Sequence, residues 1–268
     1  MRRSREDPGA PRARRLRLGA LLGALLVLLV CSACGGAPAP TAGCSAALPG
    51  RSPMLLDLEQ AQNAATIAGV GKRLGMPDHA VTVALVTALQ ESKLHNLAYG
   101  DRDSLGLFQQ RPSQGWGPAD RILVPRLAAA AFYVRLRTIP NWQTLPVTVA
   151  AQAVQRSGFP SAYAQWEEQA RVLASALTGE IPAGLACTLV DPVTPAGAAA
   201  VSARAALELG TGALATQVEQ PSWVAASWLV AHASDLGLQE VAVRGRRWTA
   251  KSGQWSAYAA AGLAIRYA

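Results

Sequence analysis

The chain has 268 residues, half of them hydrophobic and 16% charged, which is enough to bury a core in one large or two small domains. Its formal charge of +8 is mostly that of its start: the first 33 residues hold seven arginines and two acids, and without them the charge falls to +3. With no basic stripe interleaved with aromatics further on, nucleic acid is excluded as an expected partner, and three histidines spread over positions 79, 95 and 232 argue against a metal centre; no cofactor is expected.

Arginines 2, 3, 5, 12, 14, 15 and 17 precede an apolar run over residues 18–30 that ends in small residues, so residues 1–33 read as an export signal. The run is shorter than the roughly 20 residues of a spanning helix, which favours a cleaved signal, with an uncleaved anchor as the alternative. Cys34 ends the segment before Gly35 and Gly36 and is the candidate for lipid acylation, although Cys31 stands where a lipoprotein signal usually has leucine. Residues 34–53, rich in Ala, Gly, Pro and Ser, are expected to be a flexible tether. Export to an oxidising compartment predicts a disulfide between Cys44 and Cys187.

Asp57 with Gln60 forms a capping pair for a helix to about Leu74. Further helices are expected over residues 77–94, 124–138, 148–156 and 160–177, the last stopped by Gly179, so residues 54–190 read as a helical domain. A linker is expected over residues 191–197. Helices near 198–215 and 222–236 then precede strands at 239–244, 247–250 and 263–267, with turns at Gly245 and Ser252-Gly253. The expected fold class is mainly α, with a small α+β domain over residues 198–268. Trp223, Trp228, Trp248 and Trp255 with Arg244, Arg246, Arg247 and Lys251 offer a surface for an anionic wall polymer; the alternative places Trp223 and Trp228 in the core and the arginines on a solvated edge.

On the 77–94 helix, Val81, Leu85, Ala88 and Ser92 share one face, Glu91 falls on its flank at the border of the core, and Gln90 points away. An acid that cleaves a glycosidic bond must hold its proton for the leaving oxygen, and such a border position suits it. Fifteen residues on, Ser104-Leu105-Gly106-Leu107-Phe108-Gln109 is a glycine-opened turn carrying an amide. Gln109 is a candidate for hydrogen bonding to a sugar, and Trp116 on a glycine-rich loop for stacking on one. Ser92 either orients Glu91 or a sugar, or satisfies buried backbone. Asp101 and Asp103 are candidates for a second carboxylate, with loop formation as their alternative. His95 reads as a structural histidine. Gly69-Val70-Gly71-Lys72 hints at a nucleotide loop but lies in a helical pattern without a preceding strand or a following Ser or Thr.

Glu91-Ser92 closing a helix, followed by Ser104–Gln109 and then Pro112, resembles the lysozyme-like superfamily, specifically the soluble lytic transglycosylase domains of exported actinobacterial proteins. The resemblance covers about residues 56–178 and implies a lysozyme-like helical domain. The family's third motif, Ala-Tyr-Asn with a glycine, is met by Ala153-Val154-Gln155 and Gly158, so Val154 replaces the tyrosine and Gln155 the asparagine. That tyrosine, by the resemblance, helps hold the catalytic acid; Tyr163, Tyr133 and Tyr99 are its possible substitutes here. The resemblance implies cleavage of the β-1,4 bond between N-acetylmuramic acid and N-acetylglucosamine in peptidoglycan. Glu91 would act as acid and then base while the muramic C6 hydroxyl closes a 1,6-anhydro ring, and Ser92, Ser104, Gln109, Trp116 and Gln155 would contact substrate. The implied partners are glycan strands and, through the signal or a lipid, the outer face of the cytoplasmic membrane. The departures at Val154 and Gln155 leave open the alternative of a non-catalytic wall-binding or scaffold lipoprotein.

Overall fold

A computed structural model describes residues 41–190, 195–259 and 261–268. The expected export signal, Cys34, the first part of the expected tether and positions 191–194 of the expected linker lie outside the described residues. Among the described residues no helix is long and apolar enough to cross a membrane.

Strands β1 (Gly43–Ala46) and β2 (Met54–Leu56) pair antiparallel, and β3 (Leu185–Thr188) pairs with the other edge of β1 to give the order β2-β1-β3. Cys44 lies opposite Cys187 in register, and the two are joined by a disulfide. In the chain-entropy picture a loop closed across a separation of 143 residues stabilises by about 5 kcal/mol, before any native strain is subtracted. The expectation of a flexible tether through residue 53 is therefore corrected at residues 43–46, where Cys44 and Ala46 are buried. Composition measures what side chains can bury, whereas this segment is held by a backbone ladder to a strand far along the chain.

Helix α1 (Leu58–Arg73) opens with the predicted capping box: the Gln60 amide donates to the Asp57 carboxylate, and the Gln60 side chain accepts from the Asp57 amide. Its glycines serve packing. A Cβ on Gly69 would meet Leu209 at 2.8 Å and one on Gly71 the Tyr133 hydroxyl at 2.7 Å, so the apparent nucleotide motif marks close helix contacts. Helix α2 (Asp78–Ser92) is buried on every side from Ala80 to Leu89, which corrects the one-faced reading: it is the central helix, packed on α1 and on the helices that follow.

A short helix α3 (Ala119–Ile122) precedes α4 (Pro125–Arg137) and α5 (Val147–Gln155). The expected continuous helix over 160–177 is instead a 3-10 helix, Pro160–Trp166, followed by α6 (Glu167–Leu177). The two have nearly the same side-chain periodicity over so short a run, but the tighter turn redirects Tyr163 and Trp166 onto the end of α2.

Helices α7 (Gly197–Glu208), α8 (Glu219–Ala231) and α9 (Ala233–Leu236) lead into β4 (Leu238–Val243), β5 (Arg246–Thr249), β6 (Trp255–Ala257) and β7 (Ala264–Tyr267), an antiparallel sheet of order β6-β5-β4-β7. The described residues from 41 onward form one compact unit, so the expected division between residues 190 and 198 is not a break in packing. Helix α8 is buried from Ser222 to Ala231 and packs on α1, α6, β3 and β4. The Trp248 indole donates to the Cys187 carbonyl (3.0 Å) and that of Trp255 to the Leu185 carbonyl (2.7 Å). These two tryptophans therefore join the sheets, Trp248 fully buried and Trp255 half-buried.

Buried Glu208 accepts from the Thr66 hydroxyl and the Trp228 indole, both at 2.8 Å, and from Arg204 at 3.2 Å. It thereby ties α1 to α7 and α8.

Candidate active site at the end of the central helix

Helix α2 stops at Ser92, and the chain reverses through Lys93 and Leu94, both left-handed at φ 55° and 66°. Each such non-glycine residue costs about 1–2 kcal/mol. The reversal is held by α1: the Gln60 side chain donates to the Lys93 carbonyl (2.9 Å), Asn63 to the Leu94 carbonyl (2.7 Å), and the Asn96 amide to the Glu59 carboxylate (2.9 Å). The Asn96 amide bond is the main reason the Glu59 carboxyl is held below its ordinary range; burial opposes it and His95 assists. His95 lies between Glu59 (3.1 Å) and Asp57 (3.5 Å), which gives it a structural place.

Glu91, half-buried, sits on the last turn before this reversal. Its Oε1 accepts a 2.7 Å hydrogen bond from the Tyr163 hydroxyl, delivered by the 3-10 helix. Burial, and then the neighbouring Glu91 charge, raises the Tyr163 phenol well above its ordinary range, so it remains a proton-bearing donor. Of the three tyrosines considered, Tyr133 donates to the Ile67 carbonyl inside the core and Tyr99 is 72% exposed; only Tyr163 is bonded to the acid. Next to it, Gln90 accepts from the Trp166 indole (2.9 Å) and the Gln165 amide (3.1 Å), which locks the helix end further. Trp166 is half-buried beneath the Lys93 ammonium.

The second motif folds as a tight turn. Leu105 and Gln110 exchange backbone hydrogen bonds, Gly106 is left-handed at φ 72°, and a Cβ there would stand 2.8 Å from the Ile122 carbonyl. Ser92 Oγ lies 2.8 Å from the Leu107 carbonyl and 3.1 Å from that of Ala88. The Gln155 amide donates to the Phe108 carbonyl at 2.7 Å. Successive carbonyls of the turn are thus pinned by α2 and α5, while the Phe108 ring stacks on Phe132. Ser92 has the backbone role among its two expected ones.

The remaining sequence candidates divide clearly. Gln109, at φ 46°, turns its amide back to the carbonyls of Gly106 (3.2 Å) and Tyr99 (3.3 Å). A Cβ at Gly100 would lie 1.8 Å from its Oε1, so the absent side chain of Gly100 makes room for Gln109. Ser104 is buried beneath the loop, and its amide donates to the Asp101 carbonyl. Asp103 accepts from the Ser113 amide (2.8 Å), the Ser113 hydroxyl (3.0 Å) and Arg111 (2.6 Å). The Ser113 amide and then Arg111 hold its carboxyl far below the usual range, so it is an ionised brace for the loop. Asp101 has a 91% exposed side chain and only a loose, 3.9 Å pairing with Arg102.

Trp116, Gln109 and Gln155 come together on one cavity of about 340 Å³ beside the turn. Four arginines also line it: Arg102, Arg111, Arg135 and Arg156. Sequence reasoning did not gather these arginines, because they come from separate loops and helices with no shared period. Larger cavities lie elsewhere, one of about 520 Å³ along Leu209, Pro221 and Val224; the 340 Å³ cavity is the one that shares Gln109 and Gln155 with the turn beside Glu91. No known protein-family model matches the chain, and no curated protein matches it either.

Proposed function

We propose that this chain is an exported, lysozyme-like lytic transglycosylase that cleaves the β-1,4 MurNAc–GlcNAc bond of peptidoglycan, with Glu91 as its acid and base. The observation that carries the reading is the carboxyl of Glu91, half-buried at the end of the central helix and held through one oxygen by Tyr163. That bond leaves the second oxygen for the substrate. Glu91 gives its proton to the bridging oxygen as the bond from that oxygen to muramyl C1 breaks, and the Tyr163 hydroxyl steadies the carboxylate left behind. The C6 hydroxyl of the same muramyl ring then bonds to C1 and returns its proton to Glu91. No water is consumed, and Glu91 ends as it began.

Hydrolysis would instead call on a second carboxylate across the cleft at about 5–9.5 Å. Asp103 is committed to Arg111 and Ser113, and Asp101 stands in water, so the arrangement favours the lyase route. Tyr163 also supplies the bond to the acid that Val154, buried in the core, lacks the atoms to make. Localisation on the outer face of the cytoplasmic membrane or in the wall rests on the basic and apolar character of residues 1–33. The test is digestion of purified sacculi with the wild-type and Glu91→Gln proteins. Release of 1,6-anhydromuropeptides by the first and not the second supports the reading, and no release by either favours a non-catalytic wall binder.

A further inference from the structure

The cavity beside the catalytic turn is rich in donors, and among the described residues no acidic side chain lines it. Its four arginines are not neutralised alike. Arg111 is held by Asp103 at 2.6 Å, and Arg102 reaches only the exposed Asp101, at 3.9 Å. Arg135 lies over the Trp116 ring at 4.6 Å, and among the described residues neither it nor Arg156 pairs with a carboxylate. Gathering like charges around one opening is unfavourable unless an anion enters it, and a guanidinium fork matches a carboxylate through two parallel hydrogen bonds.

The backbone fixes where these side chains stand. Arg102, Gln109 and Arg156 all line this cavity, and all three have left-handed φ, at 57°, 46° and 52°. Gln109 donates its amide to the Gly106 and Tyr99 carbonyls and Arg156 caps the end of α5, so these turns belong to the fold and place the two arginines on the cavity wall. The cavity is linked to the candidate site through the turn that both share. Gln155 and Gln109 line it while Gln155 pins the Phe108 carbonyl, and Ser92, next to Glu91, pins the Leu107 carbonyl one residue earlier.

We propose that this cavity is an anion subsite for a carboxylate of the peptide stem carried by the muramyl residue at the scissile bond. The identity of the ligand rests on the peptidoglycan reading above. A muramyl ring bears its peptide on the C3 lactyl group, so a strand bound against Glu91 presents stem carboxylates beside the reacting sugar, tethered at high effective concentration. An anionic polymer joined by phosphate to C6 is the poorer occupant, because it would block the hydroxyl that closes the anhydro ring.

The test is binding, which does not depend on turnover. Calorimetry on the full exported chain carrying Glu91→Gln would compare a GlcNAc–MurNAc–peptide with the same molecule whose stem carboxylates are amidated, and with a glycerol phosphate oligomer. The acidic muropeptide is expected to bind about tenfold tighter than its amide. Adding Arg156→Gln should abolish that preference and leave binding of the amidated form unchanged, since Arg156 is exposed and pairs with no carboxylate among the described residues. Equal affinity for the acid and the amide, equal losses on both ligands, or tighter binding of the glycerol phosphate oligomer would overturn the proposal. A wild-type chain that binds with this preference but cuts no glycan would leave the subsite standing and remove the enzymatic reading. One that cuts sacculi without the preference would do the reverse.

Discussion

Tyr163 carries the most consequence for the least change in atoms. Tyr163→Phe keeps the buried ring and deletes only the donor to Glu91. Loss of a hydrogen bond to a charged group is worth about 1.5–3 kcal/mol, so anhydromuropeptide release is expected to fall about tenfold to a hundredfold. The melting temperature should fall by several degrees at most, with the folded circular dichroism spectrum retained at the assay temperature, which separates a catalytic loss from an unfolded chain. Two carboxyls at the site also set its pH response. Glu59 and Asp103 are both held below their ordinary values, so the folded chain binds fewer protons than the unfolded one in the acid range. Their contributions are fully present above the usual carboxylate value of about 4 and are lost as pH falls through the lowered ones. Amide signals of Asn96 and Ser113, followed by NMR, should therefore stay constant from neutral pH down to about 5 and shift only in stronger acid. A shift on the alkaline side would contradict these assignments.

Among the elements, the helices with local signals were legible and the rest were not. The capping box at Asp57 and Gln60, the proline opening α4 and the glycine after α6 each mark an end through chemistry within a few residues, so the expected helices agree with α1, α2, α4, α5 and α6 to within a few positions except at Pro160–Trp166. That 3-10 helix was hidden because seven residues do not distinguish its period from an α-helix, and it is the element that brings Tyr163 to the acid. Strands β1, β2 and β3 are three or four residues long and owe their existence to partners remote in sequence. Glu91, Gln109 and Trp116 could be nominated from motif and loop character, whereas the convergence of four arginines could not. The reversal after Ser92 depends on α1, and Asn63→Ala would leave the buried Leu94 carbonyl without its donor. A destabilisation of about 1–3 kcal/mol is expected by denaturant unfolding.

At the scale of the molecule, the two-domain reading gives way to one shared core. Glycine 69 is shaped to Leu209 and Trp228, Glu208 is satisfied from α1 and α8, and Trp248 and Trp255 close over β3. A change of composition after Cys187 marks a change of local structure, which does not by itself mark a fold boundary. A chain ending at residue 190 would expose the α1 face that α7 and α8 cover, and it is expected to lose cooperative thermal unfolding by circular dichroism. An unaltered, sharp transition would restore the independent domain.

Digestion of sacculi in water enriched in oxygen-18 tests most directly whether Glu91 works alone as acid and base. The wild-type protein is predicted to release 1,6-anhydro products without the label, and Glu91→Gln to release none. Labelled reducing ends from the wild type, or undiminished products from the variant, would contradict the account.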